Sequence, residues 1–219
     1  MKESIFDILG PVMIGPSSSH TAGAARISRL ASSLVGEFSS ARCVLHGSFA
    51  ATAKGHGTDV AVTAGLMGIH ESDERLREAV RIAKEAGKKI TFETGDLGDE
   101  HENTVKIFFD TPDGEHTVTG SSVGGGNIVI TEFDGYSILL TGEYPALVIT
   151  QYDKRGVIAE VSGILARFGV NIGVMEVFRQ SRGELASMTI QCDGDIPQGA
   201  VESIRGVSEI VSVRSVPRH

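Results

Sequence analysis

From Pro145 onward the hydrophobic pattern changes period in a fixed order: strand, helix, strand, strand, helix, strand. Ala146–Thr150 reads as a strand, and Gly156–Phe168 as a helix with Ile158, Val161, Ile164, Leu165 and Phe168 as its apolar positions. Asn171–Gln180 and Glu184–Cys192 follow as strands, Gln198–Arg205 as a helix and Val207–Val216 as a last strand. A β-α-β-β-α-β order of this length is the ferredoxin-like unit, and few other folds accept it. Gly142 and Pro145 interrupt the pattern on the N-terminal side, so a boundary is expected there, with domains at 1–144 and 145–219. The expected class is α+β, with a mixed α/β first domain.

The first domain is organised around Gly15–Leu34, GPSSSHTAGAARISRLASSL. Ile27, Leu30, Ala31 and Leu34 recur at i, i+3, i+4 and i+7 and mark one buried helical stripe. A cap needs a single hydroxyl. Ser17, Ser18, Ser19, His20 and Thr21 together exceed that need, at the end of the helix where free N–H groups favour an anion. Arg42–Phe49 reads as a strand, and Lys54-Gly55-His56-Gly57-Thr58-Asp59 as the glycine-flanked entrance to a second, small-faced helix. Asp59 doubles as a plausible plain cap for that helix. Ser72-Asp73-Glu74 opens an amphipathic helix with Leu76, Ala79, Val80 and Ala83 on one face and Gly87 as its stop.

Four strands are then expected at Lys89–Glu93, Thr104–Asp110, Glu115–Ser121 and Asn127–Glu132, with a hairpin turn at Pro112-Asp113-Gly114. The run Gly124-Gly125-Gly126 before Asn127 needs either a strained turn or a close backbone approach to a ligand, and sequence leaves both open.

Charge and cysteine use narrow the function. The net charge of -8 argues against nucleic acid or an anionic membrane surface as partner. No uninterrupted apolar run approaches the ~20 residues that span a bilayer, and the Gly10-Pro11 break makes residues 1–20 a poor secretory signal, so a cytoplasmic protein is expected. Cys43 and Cys192, each within an apolar alternating run, imply a reducing compartment and no disulfide framework. His70-Glu71 and His101-Glu102 lack the second histidine of a zinc hydrolase, and no Gly-x-Ser-x-Gly elbow is present. Pyridoxal phosphate would need a Schiff-base lysine, and Lys54 alone lies beside the candidate loops.

The three stretches GPSSSHTAGAARI, GHGTD and SVGGGN, in this order, resemble the β chain of bacterial iron-sulfur-dependent L-serine dehydratases, and the C-terminal unit resembles an ACT domain. The resemblance implies a two-chain lyase that converts L-serine to pyruvate and ammonia, with a 4Fe-4S cluster held by cysteines of an α chain. Two cysteines here cannot supply the three or four thiolates of such a cluster, so no metal ligand is expected on this chain.

Under the resemblance His20 and His56 are the proton-transfer candidates, and Ser17, Ser18, Ser19 and Thr21 the carboxylate-binding ones. Thr58 and Asp59 are expected to orient His56, and Gly125, Gly126 and Asn127 to close the far wall. In the ACT-like unit, Asp153, Gly156 and Asn171 are the candidate effector residues, although Arg155 stands where many such domains place proline. ACT units commonly pair side by side, which implies self-association. The first domain also resembles the anion-binding domain beside ACT units in some phosphoglycerate dehydrogenases, so the alternative is a noncatalytic amino-acid or anion sensor.

Overall fold

The computed structural model describes residues 12–53, 55–179 and 181–219. The Gly10-Pro11 break, Lys54 and Gln180, the last residue of an expected strand, lie outside the described residues. The chain divides into two compact units after Asp134.

In the first unit, a turn of π-helix, Ser18–Gly23, runs into helix α1, Ala24–Val35. Ile27, Leu30, Ala31 and Leu34 are all buried, as their spacing requires. Strand β1 spans Ser40–Leu45, helix α2 Gly47–Thr52 and helix α3 Thr58–Leu66. The single strand expected over 42–49 therefore breaks in two. Gly47 takes a left-handed φ of 53°, which turns the chain, and the amide of Ser48 donates to the Glu102 carbonyl at 2.7 Å.

Next come a 3-10 turn, Glu74–Glu78, and helix α4, Ala79–Glu85. The tighter first turn changes the phase of the apolar face. Leu76, Ala79 and Ala83 are buried, but Val80 is 58% exposed and leaves the stripe expected for it.

Strands β2 (Lys89–Thr94), β3 (Thr104–Thr111), β4 (Gly114–Gly124) and β5 (Asn127–Phe133) match the four expected. The unit's strands run in the order β2-β1-β3-β4-β5, with β1 and β2 parallel and the other neighbours antiparallel. Pairing of Thr111 with Gly114 and of Gly124 with Asn127 makes both β3–β4 and β4–β5 two-residue hairpins. Helix α1 lies on α3 and on β4, where side chains would keep the backbones apart. A Cβ at Gly65 of α3 would stand 2.1 Å from the Ala25 carbonyl oxygen, and one at Gly120 2.8 Å from Ile27.

In the second unit, strand β6, Tyr136–Leu140, was not evident in the pattern; Ile138 and Leu140 are buried and the Ser187 hydroxyl donates to the Ser137 carbonyl. The compact division thus falls ahead of β6, ten residues before the expected boundary at 144/145. Then follow β7 (Ala146–Tyr152), α5 (Val157–Arg167), β8 (Ile172–Arg179), β9 (Leu185–Cys192), α6 (Gln198–Arg205) and β10 (Ile210–Val216). The antiparallel order β10-β7-β9-β8 completes the expected βαββαβ unit.

Its core joins Leu147, Ile149, Met188 and Ile190 of the sheet to Val161, Ile164, Leu165 and Ile204 of the helices. Burying one such side chain is worth about 1.5–3 kcal/mol. Two apolar positions depart from the expected helical face: Ile158 and Phe168 are 47% and 42% exposed.

Candidate functional site

The site forms at the π turn, which lies against α1, α3, β4 and β5 and reaches the short helix α2 through His20 and Ser48. Ser17 precedes the π-helix in extended conformation, and its hydroxyl accepts the His20 amide at 3.1 Å. The same hydroxyl lies 3.1 Å from His20 Nδ1, while Nε2 is 2.8 Å from Ser48 Oγ. A serine therefore occupies each ring nitrogen. Since Ser17 Oγ already accepts one hydrogen bond, its own proton is free to face Nδ1, and a neutral imidazole satisfies both contacts in either tautomer.

The ring of His56 stacks on that of His20, centroids 5.2 Å apart and planes 25° from parallel, and Phe49 closes the other side at 5.7 Å. Burial first, and the neighbouring His56 second, push the His20 pKa below the ordinary 6.5. Its neutral form is thus favoured at pH 7. Two motifs separated by two helices and a strand converge here because Gly57, with φ 68°, ends the His56 loop and begins α3, which lies on α1.

Other expected residues have distinct placements. Ser18 and Ser19 are half-buried in the π turn, whose irregular hydrogen bonding is common at functional sites. Thr21 is buried, and its hydroxyl donates to the His56 carbonyl at 3.5 Å. Thr58 is fully buried at the first turn of α3, its hydroxyl without a hydrogen-bond partner among the described residues.

Asp59 does not orient His56 in this structure. Its carboxylate accepts the Val60 amide at 2.9 Å and lines a separate cavity with Lys84 and Lys88. Gly125 and Gly126 are the central hairpin residues, with φ of 61° and 85°, the type I′ geometry that favours glycine. The glycine run is therefore a left-handed turn, and Arg26 Nη1 of α1 donates to the Gly126 carbonyl at 2.8 Å. Asn127 is exposed beside it.

Ser48, Arg26 and Ser122 belong to the same neighbourhood and were not singled out from sequence. Ser122 is fully buried, its hydroxyl unpartnered among the described residues, and it stands where a Cβ on Gly23 would lie, 2.2 Å away. The Gly47-Ser48 helix entrance was the one local signal available for Ser48; the others depend on tertiary contact.

In the second unit the effector candidates do not converge within one chain. Asp153 accepts the Gly183 amide at 3.2 Å and lies 3.5 Å from Arg179 at the end of β8. Asn171, before the start of β8, donates to Asp193, and Gly156 begins α5 with φ 94°.

Comparison with known proteins places these features. The serine dehydratase beta chain model matches residues 4–86 and the ACT domain model residues 146–209. The chain is 47% identical to a probable L-serine dehydratase beta chain of Bacillus subtilis over 97% of both chains. It is 38% identical to the L-serine dehydratase beta chain of Peptoniphilus asaccharolyticus, again over 97% of both. A D-3-phosphoglycerate dehydrogenase of Synechocystis is 30% identical over 69% of this chain and 27% of its own length. With identity of this level running through both units, the protein belongs to the family of L-serine dehydratase beta chains and carries an ACT domain as its C-terminal part.

Proposed function

We propose that this chain is the β subunit of a cytoplasmic, two-chain L-serine ammonia-lyase. L-serine loses its Cα proton and its β-hydroxyl as water; the resulting aminoacrylate tautomerises to an imine, which water hydrolyses to pyruvate and ammonium. The observation that carries the reading is the stacked pair His20 and His56 at a serine-lined helix entrance.

His20 is assigned as the base. Its imidazole is held neutral below the usual histidine range, and Nε2 faces a hydroxyl that a substrate C–H displaces. His56 covers the ring, and its nearness is the second cause that disfavours a proton on His20. The hydroxyls of Ser17, Ser18, Ser19 and Thr21, at the positive end of the helix, are assigned to the substrate carboxylate, with Thr58, Gly125, Gly126 and Asn127 around it.

An iron-sulfur cluster does not fit the cysteines of this chain. Cys43 is fully buried in β1, and burial drives its thiol far from the thiolate form. Cys192 is buried in β9 of the other unit, its pKa raised to about 11 by burial and then by Asp193. A metal-binding cluster of histidine, cysteine and acidic residues is absent among the described residues. The 4Fe-4S cluster is assigned to an α chain, as the family resemblance implies, and that chain is then an obligate partner. Self-association through the ACT domain is part of the same proposal; β8 lies at one end of the sheet order and exposes Val174 and Phe178.

The test is anaerobic reconstitution with the α chain and detection of pyruvate. Wild type is expected to turn over L-serine, and His20→Ala to lose about 10²–10⁴ in kcat, the usual worth of a positioned base. Serine binding with no dehydration would instead establish the noncatalytic sensor. Unchanged turnover in both His20→Ala and His56→Ala would remove the histidines from the reaction.

A further inference from the structure

Glu71 is a carboxylate in an unusual place: only 4% exposed, immediately after the loop that ends α3. Two guanidinium groups of α1 meet it, Arg26 Nε at 3.7 Å and Arg29 Nη2 at 3.3 Å, and its backbone carbonyl accepts the Ile14 amide at 2.8 Å. Arg26 faces two ways. Its Nε side lies toward Glu71, and its Nη1 donates to the carbonyl of Gly126 at the hairpin tip.

That tip has little else to fix it. Gly124, Gly125 and Gly126 all lie at positive φ, 107°, 61° and 85°, and none has a side chain that could pack. Three consecutive residues with the backbone freedom of glycine leave a hairpin end loosely determined. A planar, always charged fork spanning a buried carboxylate and a backbone carbonyl removes that freedom, which a lysine ammonium cannot do from one point.

We propose that Arg26, aimed by Glu71, is the positioning residue that sets the glycine hairpin tip against the His20 turn and so fixes one wall of the serine site. The inference rests on the L-serine reading for the identity of the ligand, and on geometry alone for the clamp. It also explains an arginine at an otherwise apolar helix start. Glu71 holds Ile14, just before the serine run, through its backbone carbonyl, and its buried carboxylate holds helix α1 and, through Arg26, the hairpin.

The experiment uses the full chain, alone and assembled with its α chain, as wild type, Arg26→Lys and Glu71→Gln. In the chain alone, hydrogen exchange of the amides over 122–128 is expected to quicken about tenfold in Arg26→Lys, the size of one lost charged hydrogen bond, with exchange in β7 and β9 unchanged. In the assembled enzyme KM for L-serine rises about tenfold while kcat stays within about twofold, a split that simple loss of folded protein does not give. Glu71→Gln follows the same pattern, and the double variant adds little to the worse single one, because both act through one contact.

If Glu71→Gln does not fold, Arg26→Lys decides alone, since it keeps the charge beside Glu71. Exchange at 122–128 unchanged in Arg26→Lys overturns the clamp. Faster exchange with unchanged KM overturns its role in the serine site. A wild-type assembly that fails to act on L-serine would instead refute the lyase reading, and the exchange measurement would still judge the clamp.

Discussion

Gly65→Ala sets two physical effects against each other. Gly65 lies inside helix α3 at ordinary helical φ, so propensity alone makes alanine better by about 1 kcal/mol. The structure gives the opposite sign. A Cβ there would stand 2.1 Å from the Ala25 carbonyl oxygen and 2.8 Å from the Arg29 amide nitrogen, whereas ordinary contact begins near 3.4 Å. Both obstacles are backbone of α1 and cannot rotate away, so the helices must part by about 1 Å. Overpacking of this kind costs about 1–3 kcal/mol, and a backbone obstacle puts it in the upper half. The net loss is about 1–2 kcal/mol, or about 3–8 °C in the melting temperature of a unit this size.

Gly163→Ala is the matched control. It is also mid-helix, in α5, and its Cβ would meet only Arg167 Nη1, at 3.8 Å. A gain of about 0.5–1 kcal/mol is expected. Calorimetry of both variants, each reporting on its own unit, checks the pair. A Gly65→Ala protein that melts at or above wild type would refute the argument that bare backbone contact joins α1 to α3.

The remaining expectations concern the histidines and the hairpin. Because burial and His56 lower the pKa of His20, the folded chain binds fewer protons than the unfolded one in the interval below 6.5. The stability tied to this group is therefore complete above pH 6.5 and is lost as pH falls through the folded value; the acid limb of kcat/KM should likewise lie below pH 6.5. Ring-proton NMR of His20 checks this, and a midpoint above 6.5 would contradict it. In His56→Gln the midpoint should move up but stay below 6.5, since burial is the larger cause. At the hairpin, Gly125→Asn should cost a few tenths of a kcal/mol and Gly125→Val about 1–2 kcal/mol, because φ rather than space selects the residue; the nearest atom to its Cβ among the described residues is Asn127 Nδ2 at 3.9 Å. Equal thermal melts for the two would show that the left-handed turn is not what requires glycine.

Legibility in the sequence followed locality. From β7 onward the second unit was readable strand by strand, because each element alternates or repeats against one shared core that joins Val161, Ile164 and Leu165 to Leu147 and Ile149; β6, ahead of it, was not. The errors arose where a local conformation overrode the period. His46-Gly47 interrupts an apolar run that reads as one strand through Phe49, and only the left-handed φ of Gly47 shows that helix α2 begins there. The 3-10 turn at Glu74–Glu78 shifted the face of α4 and exposed Val80. Neither departure leaves a mark in composition.

The site divides the same way. Ser17 and His20 are three residues apart, so a turn and a cap suffice to bring them together. Ser48 reaches His20 across 28 positions, Arg26 reaches Gly126 across 100, and no periodicity links such pairs. Yet one compositional fact pointed toward them. Glycine makes up 27 of the 219 residues, a content that favours backbone-defined loops, and many of them sit at positive φ. Gly23, Gly65 and Gly120 do not; they lie at ordinary φ where a Cβ would come within 3 Å of Ser122, of the Ala25 carbonyl, and of Ile130 and Ile27. Three glycines that the backbone does not need let α1 settle onto α3 and β4, and that settling carries His20 to His56 and Arg26 to the hairpin. The close packing of bare backbone around α1 is thus what converts two distant loop motifs into one site, and a single methyl group at that contact is enough to test it.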